Sequence, residues 1–239
     1  MTLLQQTDYA LALYVNQLAG RSIALDKLVY DIADTSLMSG GVLLASYWWL
    51  WFEADEKGEY AQRRNIIVAF VAIAVVAGVV WLLQALLPFR HHPLDTAGLG
   101  LRLPFGVDPA ALGGFNSFPS GHAALFFALC VPLWKRSRRL GAAAGLWTLV
   151  AICLPLTYLG YHWPSDIIAG AAIGIVLMLL ACTIIGAAAL PDRLVRFSAT
   201  RAPAFYAIGW LLAFEIAVLF GDVRAFFQDL ARLAGMLLF

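Results

Sequence analysis

The chain is poor in charge. Only 13% of its 239 residues are Asp, Glu, Lys or Arg, against about 25% in an ordinary soluble domain. That scarcity excludes a solvated globular domain. Nor is there a basic tail of the kind that binds nucleic acid, and the formal net charge is +1. Three cysteines, Cys130, Cys153 and Cys182, all lie inside apolar runs. They read as small buried hydrophobes, which excludes a disulfide framework and a thiolate metal site. The amino terminus lacks a basic region followed directly by an apolar run and a small-residue cleavage site, so a cleaved signal peptide is not expected. Internal repeats and low-complexity segments are absent too.

What is abundant is apolar surface. Hydrophobic residues make up 62% of the chain, and the mean hydropathy is strongly positive. The fold expected is all-α, a polytopic membrane bundle of about six helices of ~20 residues each. A single integral membrane domain covers 1–239, with interfacial helices over 1–35, a transmembrane core over 36–220 and an amphipathic tail over 221–239. In residues 4–35, Leu11, Leu13, Leu18, Leu25 and Leu28 alternate with Asp8, Asp26, Asp31 and Asp34. That pattern suits short helices broken near Gly20 and lying on the bilayer surface. The expected spans are Leu37 to Phe52, Asn65 to Leu87, Ser120 to Trp134, Leu140 to Tyr161, Ser165 to Leu190 and Pro203 to Phe220. Pro155 would kink the fourth. In the fifth, Gly170 and Gly174 have the spacing that lets helices approach closely. Pro191 to Arg201 reads as a basic linker. The connection Phe89 to Phe118 is long, and loops of that length are usually functional or disordered. Leu99, Leu101, Leu103, Phe105 and Leu112 make it too apolar for a tether, so it should lie against the membrane near the mouth of a site.

Basic residues set the orientation. Ten of the sixteen fall in the loops after spans one, three and five: Lys57, Arg63 and Arg64, then Lys135, Arg136, Arg138 and Arg139, then Arg193, Arg196 and Arg201. The opposite face holds Arg21, Lys27, Arg90, Arg102, Arg224 and Arg232. The first face should be cytoplasmic. All four histidines, His91, His92, His122 and His162, sit at span ends on the other face, so a site built from them should open outside the cytoplasm.

Two stretches carry most of the polar chemistry. Asn116-Ser-Phe-Pro-Ser-Gly-His122 opens the third span, and Gly160-Tyr-His-Trp-Pro-Ser-Asp166 joins the fourth to the fifth. Pro119-Ser-Gly-His122 followed by His162-x3-Asp166 resembles the type 2 phosphatidic acid phosphatase (PAP2) superfamily of membrane lipid phosphatases. That family reads Lys-x6-Arg-Pro, then Pro-Ser-Gly-His, then Ser-Arg-x5-His-x3-Asp. The resemblance covers residues 80 to 175, and more loosely Asn16 to Asp26. The departures are specific. Anchored on Pro93, the first pattern has Ala85 at its lysine and His92 at its arginine. Counted back from His162, the third has Leu156 at its arginine and Pro155 at its serine. The nucleophile half of the pattern is kept and the cation half is rewritten.

The resemblance implies a phosphoric ester or diphosphate hydrolase, with His162 as nucleophile and His122 as general acid, and no cofactor or metal. Asp166, four residues after His162, would fix the tautomer of that ring and stabilise charge on it. Ser120 and Gly121 begin a helix behind Pro119. Its free N–H groups and dipole suit a phosphate, although Ser120 alone would be an ordinary helix cap. Arg90, His92 and, less directly, His91 and Arg102 are candidates to replace the missing cations. Arg90 also has the ordinary alternative of snorkelling to lipid. Asn116 could order the loop or touch substrate, and Glu215 is the only acid deep within a span. The expected substrate is a lipid mono- or diphosphate, either polyprenyl or phosphatidate-like. Phosphoryl transfer to another acceptor is an open variant. Two alternatives remain: a non-catalytic lipid-phosphate binder or transporter, and a zinc-dependent hydrolase using the histidines and the aspartate.

Overall fold

The computed structural model describes residues 2–53, 58–108, 115–226 and 230, and the regular elements among them are all helices. Helix α1 (Leu3–Asn16) starts at a capping box between Thr2 and Gln5, and α2 (Ile23–Asp34) starts at Ser22. The expected break between them centres on Gly20, whose φ of +69° falls in the left-handed region that glycine tolerates. A π-helical turn, Leu37–Gly41, leads into α3 (Val42–Glu53), and α2 with this segment forms a pair bent by 66°. Helix α4 (Glu59–Leu86) is 28 residues long, or about 42 Å at 1.5 Å per residue, more than a bilayer core requires. Helix α5 (Gly121–Arg136) follows the long connection.

The fourth expected span is continuous but irregular. It runs through α6 (Arg138–Trp147), a π-helical stretch Thr148–Cys153 and α7 (Leu154–Tyr158). Pro155 has no N–H to give the preceding turn, and the wide turn just before it accommodates that loss. Helix α8 (Pro164–Ala187) follows. The segment 191–201, expected as a linker, is instead almost wholly helical: α9 (Leu190–Thr200) is an amphipathic helix capped by Arg201. Its Asp192 accepts from Arg64 at 2.8 Å and from Tyr60 at 2.6 Å, which ties it to the start of α4. Helix α10 (Ala202–Ala217) is short and apolar. Beyond it, residues 221–226 are again helical. Leu112, Lys57 and the tail expected around Asp229 and Arg232 lie outside the described residues.

By length and apolarity, α4, the Arg138–Tyr158 segment and α8 are each able to cross a bilayer, and the bent pair makes a fourth if it acts as one span. The shorter α5 and α10 occupy the positions of the remaining two expected spans. The protein is therefore a helical membrane protein, with α5 at its centre against α4, α6 and α8.

The α5–α8 contact is the closest. A methyl group on Gly174 would lie 1.9 Å from the Ala124 carbonyl oxygen, and one on Gly170 would lie 2.4 Å from that of Ser120. The two helices run side by side in the same direction, with their N-termini level: the Ser120 N–H donates to the Asp166 carbonyl at 3.1 Å. Both helix starts therefore lie on one face. Gly174→Ala should push α8 off α5 and cost about 1–3 kcal/mol, whereas Gly78→Ala, with nothing within 4 Å, should be neutral or stabilising. Thermal unfolding in detergent micelles compares them, and equal melting temperatures would contradict the packing described.

Candidate active site

Between the N-termini of α5 and α8, Asp166 is completely buried. One of its oxygens accepts from Arg90. The other accepts from the Ser117 hydroxyl and, at 3.1 Å, from the Trp163 N–H. Buried carboxylates need such partners, because an unpaired charge there costs several kcal/mol.

His162 is oriented differently from expectation. Its Nδ1 lies 3.1 Å from the Ser117 carbonyl and 3.8 Å from the Asp166 carboxylate. A carbonyl can only accept, so Nδ1 carries the proton and Nε2 presents a lone pair. Asp166 thus acts on His162 largely through Ser117: it holds the hydroxyl of the residue whose carbonyl fixes the ring. Sequence spacing suggested a direct Asp–His pair and gave no sign of Ser117.

His162 and His122 line one cavity of about 570 Å³, with ring centroids 6.4 Å apart. Gly121, Asn116, His92, Trp81, Phe115 and Arg224 border it as well. His122 sits in the first turn of α5. Ser120 caps that helix, accepting from the Ala123 N–H at 3.4 Å. Its own N–H is taken by Asp166, so Ser120 lies behind the cavity wall and offers no free N–H there. Among the described residues, the N–H groups of Gly121 and His122 have no acceptor, and they lie at the positive end of the helix dipole. A second cavity, about 270 Å³, reaches His122 from the side of Tyr30, Asp34 and Tyr161.

His92 is buried, its Nδ1 against the Tyr161 carbonyl, its Nε2 without a partner among the described residues and its ring 5.5 Å from that of His162. Burial pulls its pKa below the usual histidine value; the Tyr161 carbonyl opposes this and His162 adds to it. His91 faces away, with its ring on Phe89 and its carbonyl accepting from the Trp163 indole at 2.8 Å. Asn116 orders the loop: its side-chain oxygen accepts from the Arg90 and Phe118 N–H groups, and its amide donates to the Gln84 carbonyl at 3.0 Å.

Arg90 requires a correction. It does not line the cavity. Its guanidinium bridges Asp166 and Asp8, the latter at 2.7 Å, and also donates to the Ser165 hydroxyl at 2.8 Å. Asp8, read from sequence as one acid among several on a surface helix, is buried and accepts from the Ser165 N–H at 2.9 Å. Asn16 and Asp26 are buried likewise. Asn16 binds the Arg102 and Tyr158 backbone, and Asp26 accepts from Gly20, Phe105 and Tyr158. The N-terminal helices are thereby pinned against the site face. Arg102 itself donates to the Gln17 carbonyl at 3.1 Å, away from the cavity. Among the described residues, no three His, Cys, Asp or Glu side chains converge as metal ligands.

Comparison with known proteins places these residues in a wider group. Residues 102–190 match the PAP2 superfamily. A putative undecaprenyl-diphosphatase of Escherichia coli (strain K12) is 33% identical over 137 residues, which is 56% of this chain and 61% of that protein. A lipid A 1-diphosphate synthase of the same strain is 24% identical over 68% of this chain and 65% of its own length. An undecaprenyl-diphosphatase of Bacillus subtilis (strain 168) is 23% identical over 71% and 80% respectively. The matched part is thus about three fifths of the first relative's length. No solved structure matches.

The Arg90 bridge has a measurable consequence. Arg90→Ala strands two buried carboxylates, so it should destabilise the fold by about 3–5 kcal/mol. A clear drop in melting temperature is expected, even for protein that is never given substrate. An unchanged melting temperature would return Arg90 to the role of a substrate ligand.

Proposed function

We propose that this chain, whose residues 102–190 match the PAP2 superfamily, is a lipid phosphatase or phosphotransferase of that kind acting on a polyprenyl diphosphate. The observation that carries this reading is the pair His122 and His162, facing each other across one cavity with Nε2 of His162 unprotonated. The undecaprenyl-diphosphatase relatives favour a diphosphate on a long prenyl chain.

In the proposed reaction, Nε2 of His162 attacks the terminal phosphorus. An N–P bond forms, the bridging P–O bond breaks, and His122 gives its proton to the departing lipid phosphate. As attack proceeds the His162 ring becomes cationic, with Ser117 holding its Nδ1–H and Asp166 nearby at 3.8 Å. The N–H groups of Gly121 and His122 meet the phosphoryl oxygens. In the second half, water or another hydroxyl loses its proton to His122 and attacks phosphorus. The N–P bond then breaks, restoring neutral His162 and releasing phosphate or a phosphorylated acceptor. The second cavity against His122 supports access for that acceptor, and the likeness to a lipid A 1-diphosphate synthase makes transfer a reasonable variant of the same chemistry.

The protein would sit in the inner (plasma) membrane with the Lys135–Arg139 turn in the cytoplasm and the cavity facing outward. In a background without native cysteines, Asp95→Cys should react with an impermeant thiol reagent on intact cells and Ser137→Cys should not. The opposite pattern would invert the topology.

Activity is tested by phosphate release from a panel of lipid mono- and diphosphates. His162→Ala should abolish turnover. His122→Ala should cost about 10²–10⁴-fold on a lipid monophosphate and less on a diphosphate, whose leaving group needs less protonation. Ser117→Ala should lower kcat with KM little changed, because it loosens the loop that aims His162. Full turnover by His162→Ala would remove the mechanism. Tight lipid-phosphate binding by the wild type without turnover would favour the binding-protein alternative.

A further inference from the structure

A phosphoryl group in this cavity needs more than two backbone N–H groups to balance its charge. The family's three cation positions hold Ala85, His92 and Leu156. Arg90 is committed to Asp8 and Asp166. Burial makes His92 harder to protonate, so it offers no fixed charge at neutral pH. Among the described residues, one permanent cation lines the cavity: Arg224. It lies outside residues 102–190, the part of the chain that matches the family.

The guanidinium of Arg224 stands 4.8 Å over the Phe115 ring. Among the described residues it has no hydrogen bond and no carboxylate partner. It is half-buried, and burial lowers its pKa from the usual guanidinium value. A partly desolvated cation facing a cavity without a counter-ion gains from an anion entering there.

The chain invests backbone strain in placing it. After α10, Leu219 and Phe220 both adopt positive φ, 56° and 55°. For bulky L-residues that conformation is strained. Surrounding contacts hold the turn. Phe220 is buried edge-on to Trp81 at 6.1 Å, Leu219 lines the cavity, and the Glu215 carboxylate accepts from the Val223 N–H at 3.4 Å. Glu215, the lone acid deep in a span, thus secures the turn that brings Arg224 to the cavity wall.

We propose that Arg224 is the phosphate-binding cation of this site, supplied from behind the last apolar helix in place of the charges missing from the family motifs. It binds the non-bridging oxygens of a lipid diphosphate while His162 attacks. The proposal rests on the phosphatase reading for its substrate, but its anion-binding content can be tested separately.

The full-length protein in lipid nanodiscs is used throughout. One arm measures farnesyl diphosphate hydrolysis by wild type, Arg224→Gln, Arg224→Lys and, as a control away from the cavity, Arg102→Ala. The other measures inorganic phosphate binding by calorimetry to the same proteins and to His162→Ala. Arg224→Gln should raise KM and weaken phosphate binding by about 10- to 100-fold, the range for losing one charged hydrogen-bonding partner. Arg224→Lys should recover part of both, Arg102→Ala should match wild type, and His162→Ala should still bind phosphate. Wild type that binds phosphate through Arg224 yet hydrolyses no lipid phosphate would sink the phosphatase reading and leave the cation in place. Active wild type with Arg224→Gln equal to it in KM and phosphate affinity would overturn the proposal, as would wild type that binds no phosphate. If Arg224→Gln does not fold, phosphate protection of wild-type Arg224 from phenylglyoxal, read by mass spectrometry, decides the matter: protection supports the assignment and its absence refutes it.

Discussion

Everything at the site depends on how closely α8 can lie against α5. Two glycines let the backbones touch where any side chain would collide with a carbonyl oxygen, and that contact sets two helix N-termini level on one face. Each N-terminus brings a positive dipole end; the N–H groups of Gly121 and His122 at α5 stay open, whereas that of Ser165 at α8 is taken by Asp8. Each also carries a histidine in or just before its first turn. Move the helices apart and the rings of His122 and His162 no longer face one cavity. The chemistry proposed here is thus a property of an interhelical distance before it is a property of any side chain.

The second constraint is electrostatic. Completing the helix start at α8 required burying Asp166, and a buried carboxylate must be matched. Arg90 matches it, and because Arg90 reaches a second acid, Asp8 binds α1 to the same point. The positive charge nearest to the motifs is therefore consumed by structure. Any charge available to a phosphate has to come from elsewhere in the chain, which is the place proposed for Arg224.

Helices and their order were legible in the sequence because bilayer-length apolar runs are a strong signal. That the two motifs meet was legible because Pro119-Ser-Gly-His122 and His162-x3-Asp166 both fall at span ends on one face, and the structure brings His122 and His162 to one cavity. The Gly170 and Gly174 spacing correctly pointed to close packing. Four features were hidden. Asp8 and Asp26 looked like the polar face of surface helices, since helical periodicity does not reveal that a polar residue is buried against a distant backbone. The role of Ser117 runs through its carbonyl, which side-chain identity does not encode. Arg224 looked like one charge in an amphipathic tail, because its approach depends on two left-handed residues that are not glycine. Residues 191–201 were read as a linker because their charge density masked a one-sided helix.

The central claim is that Nε2 of His162 takes the phosphoryl group. The most direct measurement is to quench the wild-type protein during turnover of a lipid diphosphate labelled in its terminal phosphate, and to map the label by peptide. The account predicts an acid-labile, base-stable phosphoryl group on the peptide containing His162, absent from His162→Ala. Label on any other residue, or label that survives in His162→Ala, would contradict it.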